Sequence, residues 1–368
     1  MRENMKIALI GTRGIPARYG GFETCAEELG RRLVQKGHEV WVYGRSGYYE
    51  KKRKEYEGVR LVYFPALKIK TLDTLSHTLL SLMHGLTKKY DIILVFNYAN
   101  SPLLMLPSCL GRNVILHMDG LEWSREKWKG WGRSYLRFAE WVSTRLPIDL
   151  ISDSRSIKAY FEEKYGKNSH FIPYGADLQS SGDPQILEQF NLESREYFLQ
   201  ITRFEPENNP LLGIKAFQRL DTNKKMVLVG GVQYKTAYAE AIFAIQDPRV
   251  RLLGFIYDES ILQELRCNCY AYIHGNEVGG TNPALLQAMA AGCFVISRDV
   301  PFNREVLQNA GIYFKKNVAD LYDKMSWALH RPNETKSKGE KGKDIIRSSY
   351  SWESVVNEYE KLFESFLK

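Results

Sequence analysis

Short apolar runs alternate with amphipathic helical stretches twice over along this chain, and that rhythm restricts it to a parallel α/β architecture. From residue 6 the order is KIALIG, a helical stretch over residues 20–36, EVWVYG, a helical stretch over 71–89, and DIILVF. NVILHM, a helix over 131–146, DLISDS, a helix over 156–165 and HFIP carry the pattern to about residue 175. A polar, turn-rich stretch over 177–194, containing Ser180-Ser181-Gly182-Asp183-Pro184, interrupts it. The alternation restarts at YFLQIT and continues through MVLVGG, VRLLG, CYAYIH and CFVIS, with helices after Asn209, from Lys235, from Asp258 and after Asn282.

A chain of 368 residues exceeds the usual single-domain range, so each series has room for its own core and a cleft between the two is expected. The expected domains are residues 1–178 and 179–345, both Rossmann-like and doubly wound. The basic, low-complexity run RPNETKSKGEKGK falls at the end of the second, and a helix over 346–368 follows. Its Trp352, Val355, Val356, Tyr359, Leu362, Phe363 and Phe366 share one face and must dock.

Composition, 44% hydrophobic and 26% charged, is that of a globular protein. Neither end reads as a secretion signal and no run is long enough to span a bilayer, so a cytoplasmic location is expected. The five cysteines show no CxxC spacing, Cys267-Asn-Cys269 being one residue short, so no metal is expected. A net charge of +8 favours anionic partners. No recognition helix, zinc pattern or stacking-sheet motif points to nucleic acid, which leaves phosphorylated small molecules and an anionic membrane surface.

Three segments bear chemistry. GTRGIPARYGGFET follows the first strand and opens a helix at Gly20-Gly21, with Arg13 and Arg18 nearby. Such a loop can bring backbone N–H groups to an anion, although a plain βα turn has the same outline. It lacks the glycine spacing of a dinucleotide fingerprint. HGNEVGGTNPALLQAMAAG opens a helix at Thr281-Asn282-Pro283, where either polar residue can cap and proline suits the first turn. Gly279 and Gly280 would let a diphosphate approach the helix start, with Arg203 as its cationic partner. In HMDGLEWSREKWKGWGR, the residues His117, Asp119 and Glu122 are expected just beyond a strand end, where open α/β sheets bind ligands. Asp119 is the candidate for polarising an acceptor hydroxyl, with Glu122 and His117 orienting. Asp-Gly is equally a common turn pair. Arg125, Lys127, Lys129, Arg133 and Arg137, mixed with Trp128, Trp131, Tyr135 and Phe138, suit an anionic headgroup boundary or a solvated basic helix.

TRGIPARYGGFET, HMDGLEWSREKW, RFEPENN and HGNEVGGTNPALLQAMAAG together resemble the retaining family 4 glycosyltransferases, and within them the bacterial rhamnosyltransferase group. The resemblance spans most of the chain. It implies the GT-B fold, a nucleoside diphosphate sugar such as dTDP-L-rhamnose held by the second domain, a saccharide or lipid-linked acceptor on the first, and a last helix crossing back to the first. It implies no metal cofactor. The wider family has two glutamates separated by seven residues, which fall here on Gly279 and Gln287, and a lysine near the RFEPENN loop, where Asn208 stands. A glutamine can still hydrogen-bond ribose hydroxyls. A GT-B epimerase and a non-catalytic sugar-nucleotide-binding subunit are the alternative readings.

Overall fold

The structure is a computed structural model that describes residues 4–17, 20–67, 69, 72–118, 120–125, 128–232 and 236–367. It divides into two compact units, 1–174 with 352–368, and 175–351.

The first unit holds β1 (Lys6–Ile10), α1 (Gly21–Gln35), β2 (Glu39–Arg45), β3 (Glu55–Tyr56), β4 (Val59–Phe64), α2 (Asp73–Leu86), β5 (Ile92–Phe96), α3 (Met105–Cys109), β6 (Val114–Met118), α4 (Gly130–Arg145), β7 (Asp149–Ser152), α5 (Arg155–Tyr165) and β8 (His170–Phe171). Its sheet runs β3-β4-β2-β1-β5-β6-β7-β8, parallel throughout except for the edge strand β3. The central strands β5 and β6 are buried along their whole length, as strands covered by helices on both faces must be.

The second unit holds β9 (Tyr197–Ile201), α6 (Pro210–Phe217), β10 (Lys225–Val229), α7 (Ala237–Phe243), β11 (Val250–Leu252), α8 (Glu259–Asn268), β12 (Ala271–His274), α9 (Pro283–Ala290), β13 (Val295–Arg298), α10 (Pro301–Leu307), β14 (Gly311–Phe314), α11 (Val318–Leu329) and α12 (Pro332–Ser349). The order β11-β10-β9-β12-β13-β14, all parallel, is the doubly wound Rossmann order, with its reversal between β9 and β12.

The last helix, α13 (Trp352–Glu364), packs on α1 within the first unit. The Arg32 guanidinium lies over the Trp352 ring, and the buried Glu360 carboxylate accepts from Lys36 at 2.8 Å and sits 3.1 Å from the His38 ring. A buried carboxylate needs such partners.

The run RPNETKSKGEKGK lies largely within α12, an eighteen-residue helix. Its buried face is Thr335, Gly339, Gly342 and Ile346. Small residues there let two backbones meet: a Cβ on Gly339 would lie 2.2 Å from the Gly292 carbonyl oxygen. Alanine is the better helix former by about 1 kcal/mol, but relieving that overlap costs about 1–3 kcal/mol. Gly339→Ala is therefore expected to lower the melting temperature by several degrees. The exposed Lys341→Ala is the control. Equal melting of the two variants would contradict the close packing.

Candidate functional site

In the second unit the loops after β9 and β12 flank the switch point, where open α/β sheets hold ligands. Three contacts tie them together, and a fourth, from Gln200, braces the first loop on its own strand. Asn209 Nδ2 donates to the Gly275 carbonyl at 2.8 Å, and Glu277 N–H donates to the Glu207 carbonyl at 3.0 Å. Gln200, a buried amide inside an otherwise apolar strand, donates to the Asn208 carbonyl at 3.1 Å. Gly275 presses on that same carbonyl, since a Cβ would come within 2.2 Å of it. The Asn208 side chain is buried and donates to the Arg203 carbonyl at 3.1 Å, so at the place of the family's lysine stands a residue that shapes the loop.

This frame holds Arg203 two residues beyond β9. Its guanidinium is 3.5 Å from the Glu205 carboxylate, with both side chains about one-third exposed, so it is oriented yet reachable. Across the switch point, Gly279 has φ +140 and nothing within 4 Å of a would-be Cβ. That conformation admits glycine and leaves an open approach to the backbone. Gly280 and Thr281 are buried behind it.

Asn282 is the N-cap of α9, accepting from Ala284 N–H at 2.9 Å, and Pro283 opens the helix. Leu285 and Leu286 N–H both donate to the Asn282 carbonyl. The first turn of this helix is thus satisfied internally. Among the described residues the N–H groups of Gly279 and Gly280 have no such partner, so they and the helix dipole are what an anion would meet. Gln287 sits half-buried one turn further on.

Glu277, not singled out from sequence, lies two residues before Gly279. Its carboxylate is 3.4 Å from Arg298 and also pairs with Lys316. Asn303 on α10 donates to the Asn276 carbonyl at 2.9 Å and the Arg298 carbonyl at 3.0 Å. An acidic residue three positions after a strand end was the readable signal for Glu277; the amide partners come from distant positions and had none.

In the first unit Gly20 is the N-cap of α1 and Gly21 its first residue. The preceding loop is already engaged by carboxylates: Arg13 N–H donates to Glu23 at 2.9 Å, and Ala17 N–H donates to Glu27. Arg18 lies outside the described residues. His117 lies inside β6 rather than beyond its end, a correction to the sequence reading. It is stacked on Phe96 and Tyr174 at centroid distances of 5.4 and 5.7 Å, with Phe22 edge-on. Glu122 is buried, pairing with Arg125 and accepting from the Trp128 indole at 3.0 Å. Asp119 lies outside the described residues.

Among the described residues no group of three or more His, Cys, Asp or Glu side chains could hold a metal, and no helix is long and apolar enough to cross a membrane.

The second unit thus places a reachable arginine and a glycine-lined helix start on the two loops that flank its switch point. Residues 183–345 match the family model described as Glycosyl transferases group 1, and residues 4–177 match a Domain of unknown function (DUF1972). An uncharacterized 42.6 kDa protein in the cps region of Klebsiella pneumoniae is 26% identical over 125 residues, 33% of this chain and 34% of that protein. An uncharacterized glycosyltransferase of Methanocaldococcus jannaschii is 31% identical over 97 residues, 25% of each. The matches thus span about a third or less of these relatives. Among solved structures, sucrose-phosphate synthase from Thermosynechococcus elongatus is similar with a TM-score of 0.81 at 17% identity over 99% of both chains. Anabaena HepE in complex with UDP and glucose gives 0.79 at 17%, over 98% of this chain and 100% of that one. WaaG, a glycosyltransferase involved in lipopolysaccharide biosynthesis, gives 0.73 at 16%, over 97% and 99%. The fold is GT-B.

Two buried histidines at strand ends give the protein a pH signature. Burial lowers His117 from its ordinary 6.5 to about 4, against the pull of the Met118 carbonyl. It lowers His274 to about 3, against that of Asn303. Between these values and 6.5 the unfolded chain binds protons that the folded one refuses, so stability falls as pH drops below about 6.5. Each histidine adds a slope of up to about 1.4 kcal/mol per pH unit. Urea unfolding between pH 7 and 5 is expected to show the decline, and His117→Phe to lessen it. An equal decline in that variant would exclude His117 as a source.

Proposed function

We propose that the protein is a retaining glycosyltransferase that moves L-rhamnose from dTDP-L-rhamnose to a saccharide or lipid-diphosphate-linked saccharide in cell-surface polysaccharide assembly. The observation that carries this reading is the placement of Arg203 and the Gly279-Gly280 pair on the two loops that flank the switch point. A diphosphate seated there receives a charge-assisted bond from the guanidinium and backbone N–H bonds from the glycines, without a metal in any step. The Gln287 amide, on the same helix, supplies hydrogen bonds for ribose hydroxyls. The UDP held by HepE supports a nucleotide sugar as donor. The role of WaaG in lipopolysaccharide biosynthesis supports a polysaccharide product. The choice of rhamnose rests on the TRGIPARYGGFET and HGNEVGGTNPALLQAMAAG segments.

In this mechanism a donor phosphate oxygen takes the acceptor proton while the departing diphosphate is stabilised at Arg203. Asp119 orients the acceptor hydroxyl. His117 and Glu122 act as positioning residues for the segment that carries it, the first through its ring stack and the second through Arg125 and Trp128.

Of a panel of nucleotide sugars, dTDP-L-rhamnose is expected to raise the melting temperature most, since a ligand at a hundred times its Kd stabilises by about 2.7 kcal/mol. Arg203→Ala should weaken donor binding by about 1.5–3 kcal/mol. A larger shift with UDP-glucose or GDP-mannose would overturn the donor, and unchanged affinity in the variant would overturn the role of Arg203.

Asp119→Asn is expected to lower transfer by a factor of about 10² through lost orientation of the acceptor hydroxyl, with donor affinity retained. A turn or cap role would be filled by asparagine almost as well, leaving turnover within a few-fold of the parent. Anomeric NMR of the product reads the retention of configuration in the same assay.

A further inference from the structure

We propose that helices α2, α3 and α4 form a docking face for an anionic phospholipid surface. The three lie on one side of the first sheet. α2 joins β4 to β5, the segment with α3 joins β5 to β6, and α4 joins β6 to β7, all stepping the same way across the sheet. Right-handed crossovers put such helices on one side. α1 steps the opposite way, and α13 packs on it. Both α2 and α4 pack against the 3-10 segment Tyr98–Leu104, which runs into α3.

Helix α2 turns three polar residues inward beside Leu82 and several apolar ones outward. It buries His77, Thr78 and Ser81 completely while Leu79, Leu80 and Met83 are 45%, 40% and 51% exposed. A helix made only for water would be turned the other way. α3 exposes Met105 and Leu106, and Leu110 follows. On α4 the exposed positions 131, 134, 138 and 141 lie three and four apart, on one helical face, and three of the four are Trp131, Phe138 and Trp141. Trp131 is 91% exposed. Single exposed apolar residues are ordinary, but a face shared by three neighbouring helices is not.

Charge selects the occupant. The three helices run parallel and end at the same edge of the sheet, where Lys88 and Lys89 follow α2, Arg112 follows α3 and Arg145 closes α4. Arg112 reaches back to the Leu86 carbonyl at 3.2 Å, which joins the first two groups. The helices contain two carboxylates, and both are engaged inward. Asp73 pairs with Arg45. Glu140 is buried, accepting from Trp123 at 2.6 Å, Tyr165 at 2.6 Å, Tyr160 at 2.8 Å and Lys164 at 3.0 Å. An aromatic and aliphatic face bordered by cations matches the headgroup boundary of an anionic bilayer. A second copy would bring the same cations against its own. No described helix can span a bilayer, so the contact is with its surface. The inference stands on this face alone, whatever the donor sugar.

Sedimentation of the full chain with phosphatidylcholine vesicles, with and without phosphatidylglycerol, tests it. Binding is expected to the anionic vesicles and to weaken with salt. Replacing Trp131, Phe138 and Trp141 by serine should lower the partition coefficient at least about ten-fold with melting unchanged. Leu79→Ser with Met83→Ser, on a separate helix, should also lower it. No binding to either vesicle, or parent-level binding by both variants, would overturn the proposal. So would a dimer in sedimentation velocity that these substitutions dissociate without any vesicle binding, which would assign the face to a second copy.

Discussion

Strand β9 pairs with β10 on one flank and β12 on the other, and the second unit takes its shape from that pairing. The chain leaves β9 toward β10 and returns on its far side as β12, so the loops at their carboxyl ends diverge and open a crevice. Left alone, two such loops would be soft. Here Asn209 and the Glu277 N–H pin one to the other, Gln200 braces the first on its own strand, and Gly275 lets the backbones touch. Arg203 and Gly279 are thereby presented on a fixed floor, with little ordering left to be done when a ligand arrives.

The strand-helix alternation was readable because a parallel sheet makes its strands apolar on both faces, and the order of elements up to β13 follows from it apart from β3, β4 and α3. What went unread shares a cause. β4 has largely half-buried residues, and β14 is a four-residue edge strand with two half-buried residues at its centre. α12 packs through glycine and threonine, so its contact face has no apolar stripe to detect. For α2, periodicity shows that two faces differ but not which one meets the sheet. Only the structure reveals that His77, Thr78 and Ser81 point inward.

The site was readable where backbone geometry makes it, in the glycine pair and the Asn282-Pro283 helix start. It was not readable where it depends on partners far along the chain. His117 reads as a titrating group beside a carboxylate, yet its surroundings are the Phe22, Phe96 and Tyr174 rings, contributed by three other segments. Glu140 reads as one more charge on a basic helix, whereas its donors come from residues 123, 160, 164 and 165.

The two units have loops of similar outline after their first strands, yet they differ in what holds them. In the first unit the loop's N–H groups go to the Glu23 and Glu27 carboxylates, and Glu23 lies in the first turn of α1. Those carboxylates use the same helix-start dipole and donors that an anion would need, and they repel a second negative charge at short range. In the second unit the corresponding work is done by the neutral amides of Gln200, Asn208 and Asn209, which shape the loops and add no charge. Arg203 is left as the nearby cation and the Gly279-Gly280 backbone as the donor set. The first-unit loop thus already spends donors on carboxylates of its own chain, whereas among the described residues the Gly279-Gly280 N–H groups of the second unit are not spent in this way.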